Sequence, residues 1–180
     1  MPRLFIGLEL PDEAKTALAL LRGGIEGARW QSDDQYHLTL RFIGEVPPPI
    51  LPEIAAALGR LEGAGFELGL RGVGIFGEPE RPRLLWAGVA DPEPLIRLHR
   101  RIDRLLAAIG IPSDMRKYIP HVTLARFSGR AGRVAPWLLA HDGFRFPPFM
   151  VGEAVLFESH LGHAAARYEP LLRVPLNRSS

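Results

Sequence analysis

Two short segments of the chain carry the same run of residues capable of acid–base chemistry. HLTLRF (37–42, the first motif) and HVTLAR (121–126, the second motif) each place a histidine two positions before a threonine. Threonine occurs only at Thr16, Thr39 and Thr123, so two of the three follow a histidine in this way. Random placement would give roughly 0.1 such pairs. The two motifs therefore indicate a duplicated functional unit.

The spacing within each motif predicts where the side chains lie. On a β-strand, residues two apart share a face, so His37 lies beside Thr39 and His121 beside Thr123. If a pseudo-two-fold axis relates the two strands, these faces meet across a groove. One neutral imidazole can then accept a proton while one protonated imidazole donates another, near neutral pH. Threonine hydroxyls can donate hydrogen bonds to phosphate oxygens, so the pattern predicts phosphodiester chemistry with a bell-shaped pH dependence.

Two other interpretations of the histidines carry less weight. A single histidine on a strand is usually a packed or surface residue, but two matched copies favour function. A zinc site needs more ligands than two histidines, threonine is a poor zinc ligand, and the chain has no cysteine. We therefore expect neither a metal nor another cofactor.

Strand alternation also makes predictions for the residues that follow each threonine. It places Arg41 on the histidine face, where it is either functional or simply solvated, and it places Phe42 in the core. In the second motif it places Ala125, and not Arg126, on the histidine face. Arg126 then reaches a substrate only if the strand ends or bulges at this point.

Composition limits the remaining possibilities. The chain has 180 residues, of which 47% are hydrophobic and 23% charged, with a net charge of +2, values typical of a globular protein. The absence of cysteine excludes disulfides and thiolate chemistry. No signal peptide and no membrane-length apolar segment is evident, so we expect a cytoplasmic protein.

Periodicity and breaker residues predict an alternating order of elements. Strands are expected at 3–10, 37–43, 66–76, 83–89, 121–127, 149–159 and 168–176, and the clearest helix at 91–110. A strand, a helix and a strand bearing one motif occur in each half of the chain. This predicts two similar α+β lobes within one domain covering residues 1–180.

Beyond the two motifs, several segments carry a family resemblance that covers nearly the whole chain. They are RLFIGLELP, the RW before the first motif, RPRLLWAGV, LFESHLG and RYEPL. With HLTLRFIGEV and PHVTLARF, they resemble the 2H phosphoesterase superfamily. Within it, the chain is similar to the RNA 2′,3′-cyclic phosphodiesterase family, historically called 2′-5′ RNA ligase.

The resemblance implies a fold and an activity. The fold is bilobal and α+β, with two antiparallel sheets flanking a central cleft and helices on the outside. The activity is opening of an RNA 2′,3′-cyclic phosphate to a 2′-phosphomonoester. His37 is implied as the proton donor to the leaving 3′ oxygen and His121 as the proton acceptor that activates water. Thr39 and Thr123 are implied to hold the phosphate, and Arg126 to contact the substrate.

Some alternatives remain open from the sequence alone. Tyr118, in the segment RKYIPH (116–121), either stacks on an RNA base or packs within a loop. If the same site catalysed the reverse reaction, it would ligate RNA halves through a 2′-5′ bond. If the fold were retained without catalytic activity, the protein would be an RNA or nucleotide-binding module. The expected partner is RNA with a cyclic phosphate end. We expect a monomer that does not bind membranes.

Overall fold

Strands from both halves of the chain pair into one network in the computed structural model, which describes residues 1–176. The fold is α+β, as expected. The strands are β1 (Arg3–Glu9), β2 (Arg29–Trp30), β3 (His37–Glu45), β4 (Phe66–Glu78), β5 (Arg81–Val89), β6 (Val122–Arg126), β7 (Arg145–Val151), β8 (Glu153–Leu161) and β9 (Ala166–Pro175). The α-helices are α1 (Asp12–Ala19), α2 (Leu51–Leu58), α3 (Glu93–Ala107) and α4 (Ala135–His141).

The nine strands form one antiparallel sheet, which narrows to a junction between two lobes. The strand order is β7-β4-β5-β6-β3-β1-β8-β9, and β2 pairs with β6. At the centre, β3 and β6 are joined through one registered residue pair, Leu38 with Val122. One lobe therefore contains β7, β4, β5, β6 and β2, and the other contains β3, β1, β8 and β9. The expected antiparallel, pseudo-two-fold architecture is confirmed, and the two expected sheets are continuous with each other as one nine-stranded sheet.

The junction brings the two motifs together. The first motif lies in β3, and the second begins immediately before β6. Because the pairing of Leu38 with Val122 is antiparallel, His37 lies towards Thr123 and Thr39 lies towards His121. Leu38 itself is fully buried, so the residues between each histidine and its threonine anchor the junction in the core.

The helices cover the sheets and supply much of the core. In α3, every third or fourth residue is buried, which gives one apolar stripe consisting of Leu95, Leu98, Ile102 and Leu106. This helix packs against β3 and α2, while α4 packs against β4. The helix predicted within 91–110 is confirmed. No helix in residues 1–176 is long and apolar enough to cross a membrane.

β2 was not predicted, and β7 was predicted only at residues 149–151, as the start of one strand at 149–159; the reasons differ. β2 has only two residues, which is too short for a recognisable period. β7 contains Pro147 and Pro148, which have no N–H to donate to a sheet and so argue against a strand. The structure accommodates them because β7 pairs only with β4, at the edge of the sheet, and its register shifts at the prolines.

Candidate active site

A cleft of about 870 Å³ opens between the two lobes and contains both motifs. His37, Thr39, His121 and Thr123 all line it. The four residues that the repeated spacing predicts to share a site are thus brought together.

A bulge in the first motif changes the predicted directions of the next two residues. Thr39 pairs with Gly7 of β1 and Arg41 pairs with Ile6, so Leu40 is an extra residue without a partner in this register. Arg41 consequently turns into the core, where it is 5% exposed, and Phe42 turns into the cleft, where it is 50% exposed. The predictions that Arg41 shares the histidine face and that Phe42 is buried were wrong, because strict alternation ends at the bulge.

The second motif contains the same irregularity. Thr123 pairs with Trp86 of β5 and Ala125 pairs with Leu85, which leaves Leu124 as the extra residue. Ala125 is buried and Arg126 is exposed in the cleft. The bulge on which an Arg126 contact depended is therefore present. Phe42 and Arg126 occupy equivalent positions of the two motifs, five residues after the histidine.

Backbone carbonyls orient both imidazoles in the same way. His37 Nδ1 lies 2.7 Å from the carbonyl oxygen of Gln35, and His121 Nδ1 lies 2.7 Å from that of Ile119. A carbonyl can only accept, so each Nδ1 carries the proton and donates it. In the neutral rings, each Nε2 is then the nitrogen that can accept a proton. In His37, Nε2 lies 3.0 Å from Thr39 Oγ1 and accepts a hydrogen bond from this hydroxyl when the ring is neutral.

Aromatic rings enclose His37. The ring centroids of Phe5 and Tyr168 each lie 4.8 Å from the His37 centroid, and that of Phe157 lies 6.3 Å away. Burial among these rings penalises the charged imidazole and is the main reason why the pKa of His37 falls to about 4. The hydrogen bond to Gln35 opposes this fall in pKa.

His121 has a more open environment. The edge of Phe76 packs against it, with centroids 4.9 Å apart. Burial lowers the pKa of His121 below its ordinary value, and the positive charge of Arg126 lowers the pKa of both histidines further. Arg126 is thus electrostatically coupled to both imidazoles. The free site holds its histidines in the neutral form at neutral pH.

Three side chains hold the backbone of the first bulge. Arg41 donates from Nε to Asp103 Oδ1 at 2.7 Å and also donates to the carbonyl of Phe42. His99 Nδ1 donates to the carbonyl of Leu40 at 2.7 Å. The Tyr118 hydroxyl donates to the carbonyl of Thr39 at 2.9 Å, and its ring stacks on His99 with centroids 4.2 Å apart.

Tyr118 lies outside the cleft, unlike the other candidate site residues. Its ring is half-buried against His99, and it does not line the cleft. The packed alternative fits this position, because one face of the ring stacks on an imidazole and the residue is absent from the cleft lining. Tyr118 instead connects the loop before the second motif to the backbone of the first.

The cleft walls are strongly cationic. Besides the histidines, the lining drawn from residues 1–176 contains five arginines and no aspartate or glutamate: Arg3, Arg29, Arg83, Arg116 and Arg126. Strand periodicity alone does not reveal this, because the arginines come from β1, β2, β5, β6 and the loop before the second motif. Such a cleft favours a ligand with more than one negative charge.

Comparison with known proteins identifies the family. The sequence profile of the LigT-like phosphoesterases matches residues 8–86 and again residues 88–168, so each match contains one motif. The chain belongs to the LigT-like phosphoesterase family. The two matches agree with the pseudo-two-fold arrangement, and the membership confirms the resemblance to the 2H phosphoesterases.

Relatives of this LigT-like protein include several RNA 2′,3′-cyclic phosphodiesterases. The Escherichia coli K12 protein is 31% identical over 180 residues, which cover 98% of this chain and 97% of the relative. A Geobacillus stearothermophilus protein is 31% identical over 178 residues, which cover 96% of this chain but only 56% of the relative. An Aeropyrum pernix protein is 41% identical over 98 residues, or 54% of this chain and 56% of the relative. The chain thus spans little more than half of the last two.

Solved structures share the fold along nearly the entire chain. A Thermus thermophilus protein superposes with a TM-score of 0.84 at 29% identity, covering 99% of this chain and 100% of the other. Escherichia coli LigT in complex with 3′-AMP superposes with a TM-score of 0.78 at 29% identity, again covering 99% and 100%.

Proposed function

We propose that this protein hydrolyses RNA 2′,3′-cyclic phosphate ends to 2′-phosphomonoesters. The observation that carries the proposal is the pair of imidazoles in one cleft, each with Nδ1 held by a backbone carbonyl. Each is accompanied by a threonine from the same motif. The names of the relatives support the same substrate class.

The geometry supports an in-line displacement by water. In this proposal, His121 Nε2 accepts a proton from water, and the water oxygen forms a bond to phosphorus. The bond between phosphorus and the 3′ oxygen breaks, and His37 Nε2 donates its proton to that oxygen. The 2′ oxygen keeps the phosphate. Thr39 and Thr123 donate hydrogen bonds to the non-bridging oxygens, where negative charge accumulates in the transition state.

The proposed role of His37 requires it to gain a proton on substrate binding. Its pKa of about 4 leaves the free imidazole neutral at pH 7. A cyclic phosphate in the cleft places a negative charge beside the ring, and an adjacent opposite charge raises the pKa of a base. Arg126 would share the phosphate and so stop lowering the pKa of His37 as strongly. We therefore expect proton uptake when the anionic substrate binds.

We further propose that the protein acts without a metal, as a monomer, in the cytoplasm. Two imidazoles supply both proton transfers, so the displacement does not depend on a metal-bound hydroxide. One chain contains both motifs and a complete cleft. The absence of cysteine is consistent with a reducing compartment.

The test uses a short RNA that ends in a 2′,3′-cyclic phosphate, incubated in excess EDTA. We expect a 2′-phosphate product from the wild type and a loss of at least about a hundredfold in both His37→Ala and His121→Ala. The matched control is His160→Ala, since His160 lies on β8 outside the cleft lining and should retain full activity.

Other outcomes of this experiment would replace the proposal. Binding without turnover by the wild type would indicate an RNA or nucleotide-binding module. Activity abolished by EDTA and restored by a divalent metal would refute the metal-independent mechanism. Addition of an RNA with a 5′-hydroxyl tests ligation, because a 2′-5′ joined product would reveal the reverse reaction.

A further inference from the structure

Two arginines face each other on the wall of the cleft beside the second motif. Arg29 of β2 and Arg126 of β6 are direct partners in an antiparallel pair, so their side chains leave the same face of the sheet. Both are exposed, and both line the cleft. Within residues 1–176, neither belongs to an ion pair with a carboxylate.

This arrangement has an energetic cost in the free protein. Like charges directly opposite each other destabilise a strand pair. Some other surface arginines are offset by carboxylates: Arg173 contacts Glu9 and Glu153, for example. Among the described residues, the cleft lining offers no carboxylate to offset the charges of Arg29 and Arg126. An anionic group bound between or beside the two guanidinium groups would offset them.

A second polar group on the same wall also lacks a partner. Gln31 lies two residues after Arg29, lines the cleft and is only 8% exposed. Its backbone N–H donates to the carbonyl of Leu124 in β6. Its Oε1 is buried without a hydrogen-bond partner in the described part of the chain. A buried acceptor without a donor is costly. The wall formed by residues 29–31 therefore carries a positive charge that no carboxylate compensates and an acceptor oxygen that has no donor.

We propose that Arg29 binds the phosphate on the 5′ side of the terminal nucleoside of the substrate. The inference rests on the proposed function. Arg126 is coupled to both histidines and so belongs with the reactive cyclic phosphate. Arg29 lies one strand further out along the same wall. In RNA the next phosphate is separated from the cyclic one by a single ribose, so it is the next negative charge available to this wall.

The proposal defines a substrate class. The preferred substrate carries a second phosphate, as in an oligoribonucleotide, and a cyclic mononucleoside phosphate is a poorer one. Gln31 belongs to the same wall and supplies an acceptor for a donor group of the bound nucleotide. Arg29 is a specificity-determining residue under this proposal, because it contacts the substrate away from the bond that breaks.

The experiment compares kcat/KM for three substrates. They are adenosine 2′,3′-cyclic phosphate, the dinucleotide ApA ending in a 2′,3′-cyclic phosphate, and the same dinucleotide with a neutral methylphosphonate linkage. We expect the wild type to prefer the charged dinucleotide over the mononucleotide by about tenfold or more, as a charge-assisted contact provides. The neutral linkage should remove most of this preference without any change in the protein.

The variants tested are Arg29→Gln and the control Arg100→Gln. Arg100 is an exposed arginine on α3, outside the cleft lining, so its substitution removes the same charge elsewhere. In Arg29→Gln, the preference for the charged dinucleotide should fall towards that for the neutral one. Because the readout is a ratio of two substrates, a general loss of activity cancels.

The outcomes separate this proposal from the proposed function. If the wild type hydrolyses all three substrates and Arg29→Gln keeps the wild-type preference, the Arg29 subsite is refuted while the hydrolytic function stands. An equal response of Arg100→Gln would show an effect of net charge alone and would also refute the subsite. If the wild type hydrolyses none of the substrates, the proposed function fails and the subsite falls with it.

Discussion

Acidification should destabilise this protein through His37, and the structure sets the size of the effect. The pKa of His37 is lowered from 6.5 to about 4 by burial among Phe5, Phe157 and Tyr168. The unfolded chain therefore binds a proton at His37 below pH 6.5, whereas the folded chain does so only near pH 4. Each unit of pKa difference is worth about 1.4 kcal/mol, so the folded state loses up to about 3 kcal/mol between pH 7 and pH 4.

The sign of the effect follows from the direction of the shift. A histidine with a lowered folded-state pKa contributes no penalty above pH 6.5, where both states are neutral. The penalty grows as the pH falls from 6.5 and is complete below about 4. His37→Gln keeps a polar side chain but removes the titrating group, so its stability should depend less on pH over this interval.

The assay is urea unfolding of the wild type and His37→Gln at pH 7, 5.5 and 4. We expect the difference in unfolding free energy between the two proteins to change by about 2–3 kcal/mol from pH 7 to pH 4, in favour of the variant at low pH. Parallel pH dependences for wild type and His37→Gln would refute the enclosure of the imidazole.

Further predictions concern the catalytic pH profile and the residues that support the cleft. If the substrate phosphate raises the pKa of the proton donor, the limbs of the kcat profile should lie at higher pH than those of kcat/KM, and coincident profiles would contradict proton uptake on binding. Arg41→Ala leaves the Asp103 carboxylate without its partner and should lower the free energy of unfolding by about 3 kcal/mol in urea titrations. Tyr118→Phe removes the donor to a backbone carbonyl of the first motif; we expect a loss of about 1–2 kcal/mol in the same assay, with a lower kcat and a nearly constant KM. Gly74→Ala would place a methyl group 2.2 Å from the Trp86 ring, so it should cost about 1–3 kcal/mol and change the near-ultraviolet circular dichroism; an unchanged spectrum would show that the ring does not pack there.

The sequence alone determined which side chains are available for acid–base chemistry and how they are spaced. Repetition of histidine and threonine two apart predicts two strands with matching polar faces, and this spacing needs no knowledge of the fold. The apolar stripe of α3 and the flanking breaker residues likewise predict that helix locally. The two-residue period of a strand also predicts that each histidine faces the same side as its threonine, and His37 and His121 do line the cleft with Thr39 and Thr123.

The tertiary structure decided what surrounds these residues. Pairing with β1 and β5 creates the bulges that send Phe42 and Arg126 into the cleft and Arg41 into the core. A bulge depends on the partner strand, so the period of the motif cannot reveal it. The packing of Tyr118 on His99 likewise joins residues distant in sequence. Local periodicity predicts the direction of a side chain only while its strand stays regular, and here regularity ends one residue after each threonine.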